Sequence, residues 1–171
     1  MKLRKRLIAL TMAAACAATA FAGAAYTDQS SIKVDSKVID TLTEKNVIKG
    51  FEDGSFQPDK LVTRAEMAKM LYVLRTEGST DATTYAEKMS TAFTDVNNHW
   101  ASGYIKYCQA YGIVSGKSNT VFAPNDTVTT VEAAKMLLVL SGIDETLGGL
   151  TGPQWKANTM KYADQDCLLK G

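Results

Sequence analysis

Two stretches of the chain place apolar residues at the same helical spacing. Met67, Met70, Leu71 and Leu74 follow one another by three, one and three positions, and Ala133, Met136, Leu137 and Leu140 repeat those steps. Each stripe predicts an amphipathic helix, its methionines serving as core filling. Each is preceded by a helix-start signal, Thr63-Arg64-Ala65-Glu66 in one stretch and Thr129-Thr130-Val131-Glu132 in the other. In such a capping box the Thr hydroxyl accepts from the Glu backbone N–H, while the Glu carboxylate reaches back to the Thr N–H. Upstream, Trp100, Tyr104, Ile105 and Cys108 share one helical face, which predicts a further helix from about Asn98 to Tyr111. Val34, Val38, Ile39 and Leu42 occupy the matching places in the first stretch. Gly112 and Asn46 stand where a helix commonly ends on a left-handed residue.

These parallels belong to an ungapped repeat. Residues 47–74 recur as 113–140 at an offset of 66, pairing Gly50 with Gly116, Phe56 with Phe122 and Pro58 with Pro124. A repeat dictates architecture before any single residue is weighed. Each unit reads as helix, loop, helix, with a turn at Asp53-Gly54 and a short extended piece that buries the Phe ring before the Pro. A third, partial unit aligns at an offset of 55: Trp155 with Trp100, Met160 with Ile105, Lys161-Tyr162 with Lys106-Tyr107, and Gly171 with Gly116. The expected organisation is a signal peptide at 1–24, repeats at 25–76 and 93–141, linkers at 77–92 and 142–152, and a partial repeat at 153–171. The fold class is mainly α, with tandem helix-loop-helix units packed as a bundle.

Charge and composition narrow the function classes. Lys2, Arg4, Lys5 and Arg6 precede an apolar, Ala-rich run of about 16 residues that ends in A-x-A patterns, as a secretory signal does. The run is shorter than the roughly 20 residues that span a bilayer. Cys16 raises a lipoprotein alternative, against which Ala13 stands where a lipobox usually has Leu. Without the four basic residues of the leader, the 19 basic and 18 acidic residues leave a net charge of −3. Nucleic acid, which calls for a basic face, is not an expected partner. No span is expected in the mature chain. Cys108, opposite Leu42, reads as a small buried hydrophobe, and with Cys167 it matches no metal spacing; a disulfide framework is not indicated. Asp53 and Asp59 do not form a calcium loop, which needs the D-x-D-x-D-G series and a Glu at the twelfth position. His99 is the single histidine. No nucleophile motif or paired-carboxylate site accompanies it, so neither an enzyme, a cofactor nor a metal is expected.

The motifs together resemble the S-layer homology (SLH) family. The residues that carry the resemblance are Phe93-Thr94-Asp95-Val96, His99-Trp100-Ala101, Ile105, Gly112-Ile113-Val114-Ser115-Gly116, Phe122-Ala123-Pro124 and Thr129. The first unit supplies Gly50, Asp53-Gly54-Ser55-Phe56, Pro58 and the full Thr63-Arg64-Ala65-Glu66. The resemblance implies repeats that come in threes as one pseudo-threefold helical domain. It also implies a module that anchors exported proteins to the bacterial cell wall by binding secondary cell-wall polysaccharide, often pyruvylated, with the Arg of Thr-Arg-Ala-Glu contributing to grooves between repeats.

That implication makes Arg64, with Thr63 and Glu66, the leading candidate site. Gly50, Gly116 and Trp100 follow, because close backbone approach and a flat aromatic face suit a sugar. A cation in the first helical turn is disfavoured by about 0.3–1 kcal/mol, whereas a helix start attracts anions and Arg offers a fork for a carboxylate. The other reading of Arg64 is a surface residue whose stem covers Phe56 or Pro58. Thr130 stands in place of the Arg in the second unit, so at most one groove is expected to carry its Arg. The alternative function is an assembly domain of a surface-layer or envelope protein without glycan affinity of its own. Its partner would be a second copy of the chain or the C-terminal remainder of a longer protein.

Overall fold

The computed structural model describes residues 26–165. The leader at 1–24 and the tail residues Cys167, Leu168, Leu169 and Gly171 lie outside them. Six helices follow in order: α1 (Ser36–Glu44), α2 (Arg64–Arg75), α3 (Thr83–Lys88), α4 (Ser102–Ala110), α5 (Thr130–Leu140) and α6 (Trp155–Gln165). The only extended pairing among the described residues is an isolated antiparallel bridge between Thr63 and Thr127. The fold is therefore a helical repeat bundle.

Both capping boxes form. The Thr63 side chain accepts from the Glu66 N–H and Glu66 accepts from the Thr63 N–H; Thr129 and Glu132 do the same at α5. Asn46 (φ 59°) and Gly112 (φ 68°) take the left-handed backbone that ends α1 and α4. The Asp53-Gly54 turn closes through Asp53 Oδ1, which accepts from the Ser55 N–H at 2.9 Å and its hydroxyl at 2.6 Å.

The Phe-x-Pro loops are held by carboxylates from elsewhere in the chain. Asp95 accepts from the N–H groups of Phe122 (3.0 Å) and Ala123 (2.7 Å). Asp28 does the same for Phe56 (2.8 Å) and Gln57 (2.7 Å). Gln57 and Ala123 both have positive φ, a conformation that costs a residue with a Cβ on the order of 1–2 kcal/mol. The paired N–H bonds to a carboxylate stabilise each bend.

The core lies where α2 meets α4. Leu71, Val73, Ile105, Cys108 and Phe122 are fully buried there. The Cys108 thiol donates to the Ala68 carbonyl at 3.4 Å, and burial pushes it up to about 12, as expected of a packed hydrophobe rather than a reactive thiol. A second nucleus is aromatic: the Tyr72 ring centroid is 4.8 Å from Tyr107 and 5.2 Å from Tyr104.

Four elements differ from the sequence expectation. The helix expected to begin near Asn98 begins at Ser102. His99 Nδ1 accepts the Ala101 N–H (3.2 Å), and the His99 carbonyl accepts from Ser102, so 96–101 is a turn. Trp100 leaves the helical face and is 58% exposed. The 77–92 stretch contains α3, packed on α4 through Tyr85, which sits 4.9 Å from Tyr107. The 142–152 stretch buries Leu150 fully, beside the contact between α5 and α6. The expected core stripe of the first unit is only partly used: in α1 Ile39 is buried and Val38 exposed, Val34 is exposed ahead of the helix, and α1 packs on no other described helix.

Candidate functional site

The start of α2 is inserted into the loop of the second repeat. The Arg64 N–H donates to the Asp126 carbonyl (2.8 Å), the Ala65 N–H to the Pro124 carbonyl (2.9 Å), and the Val128 N–H to the Val62 carbonyl (2.9 Å). Arg64 follows the backbone inward. Its Nε donates to the Phe122 carbonyl (2.8 Å) and its Nη2 to the Ser115 carbonyl (2.7 Å). The guanidinium lies 4.5 Å above the Phe122 ring, a cation–π stack in a desolvated setting. Arg64 is thus neither a surface residue nor a cover for Phe56 or Pro58. Only 2% of it is exposed, and it serves the other repeat.

What remains accessible of Arg64 faces a groove of about 440 Å³ between the second repeat and the start of α6. Lys117, Glu132 and Lys135 of the second repeat line it, with Gly116 on its floor and Glu145 and Trp155 on the far side. Glu132 works with both oxygens. Oε2 closes the capping box, accepting from the Thr129 N–H (2.9 Å) and hydroxyl (2.8 Å). Oε1 meets Lys117 Nζ at 2.5 Å and lies 3.9 Å from Arg64 Nη1. Burial alone would raise the Glu132 carboxyl, but Lys117 and Thr129 outweigh it and draw it down to about 2. Lys135 pairs with Glu145 at 3.0 Å and lies 5.5 Å from the Trp155 ring centroid. The surface therefore carries three cations, two carboxylates and an aromatic wall, a set suited to an anionic group on a ring-shaped ligand.

A second groove, of about 450 Å³, occupies the equivalent place on the first repeat. Val47, Phe51, Glu66, Lys69 and Met70 line it where Ile113, Lys117, Glu132, Lys135 and Met136 line the other. Trp100 corresponds to Trp155. Here Lys60 sits 4.4 Å from the Phe51 ring centroid and 3.7 Å from Glu66. No arginine among the described residues lines this groove.

The sequence-derived candidates are thus divided. Arg64 and Gly116 share one groove; Glu66 and Trp100 share the other. Thr63 serves as the α2 cap. The glycines are required by packing within the chain. A Cβ on Gly50 would lie 2.5 Å from the Tyr26 ring, and one on Gly116 would lie 2.4 Å from the Ser118 carbonyl and 2.5 Å from the Phe93 ring. Lys117, Lys135, Glu145 and Trp155 were not among the expected residues. Lys135 repeats Lys69, and Lys117 stands where the first unit has Phe51; that substitution within an ungapped repeat is the signal that could have found it.

Arg64 also sits at a different groove from the one its own repeat would suggest. It completes the groove of the second repeat, so Thr130, its counterpart, does not deprive that groove of a cation.

The S-layer homology domain family matches residues 25–68 and 92–144, more than half of the chain. The chain is 32% identical over 101 residues to a cellulosome-anchoring protein of Acetivibrio thermocellus, covering 56% of this chain and 21% of that protein. It is 28% identical over 176 residues to a surface layer protein of Brevibacillus choshinensis, covering 99% of this chain and 15% of that protein. It is 30% identical over 158 residues to the S-layer protein sap of Bacillus anthracis, covering 89% and 18%. The chain spans about a fifth or less of the length of these relatives. Among the described residues no helix is long and apolar enough to cross a membrane.

Proposed function

Because the chain belongs to the S-layer homology domain family, we propose that it is a non-catalytic module that holds an exported protein at the bacterial cell wall by binding secondary cell-wall polysaccharide. The binding surface is the groove lined by Arg64, Lys117, Glu132, Lys135 and Trp155, and its ligand is an anionic sugar unit such as a pyruvate ketal. One observation carries this reading: Arg64 lines the groove, and its Nη1 has no hydrogen-bond acceptor among the described residues, its neighbour Glu132 being 3.9 Å away. A ligand carboxylate placed there would gain a charge-assisted bond from a group already fixed in position. Trp155 offers an apolar face to the sugar ring beside it. Relatives named for anchoring and for surface layers support the same reading.

Retention of the protein on purified cell-wall sacculi tests it. Lys117 is the informative position, because its side chain is 40% exposed and its loss leaves the core intact. Lys117→Ala should weaken retention about tenfold, a change worth roughly 1.4 kcal/mol, with the melting temperature unchanged. Undiminished retention by that variant would remove the groove from the binding surface.

A second reading, an assembly domain without glycan affinity, is favoured by the α1 face. Val38 is exposed on α1, which packs on no other described helix, and Val34 is exposed just ahead of it, which leaves apolar surface for another polypeptide. Stable oligomers in sedimentation, with no retention on sacculi, would favour it.

A further inference from the structure

Glu132 stands inside the cationic groove and is fixed there by a task unrelated to any ligand. Its Oε2 belongs to the α5 capping box, so the carboxylate cannot swing out without uncapping the helix. Its Oε1 consequently stays on Lys117 and beside Arg64. The charges that line the groove are Arg64, Lys117 and Lys135 against Glu132 and Glu145, a surplus of one positive charge. Arg64 is pinned by two carbonyls and Phe122 and Lys135 is engaged by Glu145, so the cations cannot regroup freely around an incoming ligand.

We infer that Glu132 sets the charge selectivity of the groove, limiting it to sugars that carry a single negative charge and disfavouring doubly charged ones such as phosphate monoesters. The inference rests on the groove proposed above as the binding surface. Oε1 lies 3.9 Å from Arg64 Nη1, so a ligand carboxylate bonded to that nitrogen can approach Oε1 to about 4 Å. At that separation a unit charge costs about fivefold in affinity in a water-like medium, and a double charge about twenty-five-fold, because the Coulomb term scales with ligand charge.

The substitution that isolates this effect is Glu132→Gln. Gln serves at the third position of a capping box as Glu does, so the helix start is retained while the charge and the acceptor for Lys117 are removed. Binding of glucuronate (one charge) and glucose 6-phosphate (two charges) to the whole chain is followed by NMR titration of the groove resonances at low salt. The variant should bind glucuronate about fivefold and glucose 6-phosphate about twenty-five-fold more tightly than the parent, with a steeper loss of binding on adding salt. The double variant Lys117→Met, Glu132→Gln returns the groove to its original surplus and should return the ratio between the two sugars toward that of the parent. Equal gains for both sugars, no gain, or weaker binding in a Glu132→Gln protein of unchanged melting temperature would overturn the inference. If Lys117→Ala abolishes retention on sacculi while Glu132→Gln leaves the sugar preference unmoved, the groove reading stands and the role of Glu132 falls. If neither sugar perturbs the groove in either protein and Lys117→Ala is still retained, both fall together.

Discussion

The two grooves differ in their walls, although 66 residues of regular offset separate them. On the second repeat, Ser115 and Phe122 carbonyls receive Arg64, and the Phe122 ring lies fully buried beneath it. On the first repeat, the corresponding carbonyls of Lys49 and Phe56 meet no donor among the described residues, Phe56 is half-buried, and Phe51 and Leu61 are exposed. The loops themselves are built alike, with a carboxylate clamp, a positive-φ residue and a proline in each. What separates them is whether the helix start of another repeat has been inserted. A loop of this kind is a socket, and its burial and charge come from its neighbour.

The largest effect should come from the filled socket. Phe122→Ala removes a fully buried ring and the platform under Arg64, and should lower folding stability by about 4 kcal/mol, against about 2 kcal/mol for Phe56→Ala. Urea unfolding of the two variants measures the difference; equal losses would mean that the sockets contribute alike. Arg64→Ala follows. It leaves the Ser115 and Phe122 carbonyls without their donors and should cost about 3 kcal/mol. Reduced retention on sacculi by Arg64→Ala therefore counts against binding only when the stability loss is measured alongside it.

Acid sharpens the comparison from another side. Asp28 is held below the usual carboxylate range chiefly by the Phe56 N–H, against opposing burial. In Asp95 burial pushes upward but is outweighed by the Phe122 and Ala123 N–H groups. Groups depressed in the folded state stabilise fully above their unfolded pKa and lose that contribution as pH falls through the folded value. Melting temperature should therefore hold steady down to about pH 5 and decline below about pH 4, with the Glu132 contribution fading from 4.5 toward about 2. Asp95→Asn should flatten part of that decline; an acid limb unchanged in the variant would show that the clamp is not titrating there. The smallest expected change is Phe51→Lys, which gives the first groove the lysine of the second. Stability should move by no more than about 0.5 kcal/mol, and retention on sacculi should rise about twofold, since no arginine backs the new cation.

Local devices were legible in the residues. The capping boxes at Thr63 and Thr129, the left-handed ends at Asn46 and Gly112 and the Asp53-Gly54 turn each depend on neighbours within a few positions, and each is present. α3 was not legible. It has no side-chain cap and only six residues, and it is held by Tyr85 against Tyr72 and Tyr107 and by Lys106 Nζ donating to the Ala86 carbonyl. A trace existed in Gly103, inside a predicted helix, where a Cβ would come 2.1 Å from the Ala82 carbonyl. Trp100 was misplaced because periodicity does not register that His99 takes the Ala101 N–H. The destination of Arg64 was hidden for a related reason. Its acceptors lie 51 and 58 residues further along, and a repeat aligned on itself shows which residues correspond, not which unit each one enters.

The insertion of α2 into the second loop has a mechanical consequence. Arg64 comes from α2, Lys117 and Glu132 from the second repeat, and Trp155 from α6, so on the proposed reading a polymer lodged among them would splint three parts of the chain. Any force that draws α2 away from residues 122–128 must also dismantle the groove. Occupancy would then resist the separation by RT ln(1 + [L]/Kd), and by reciprocity firmly docked units would hold a bound polymer more tightly. Grip and integrity rise and fall together when such a chain is pulled.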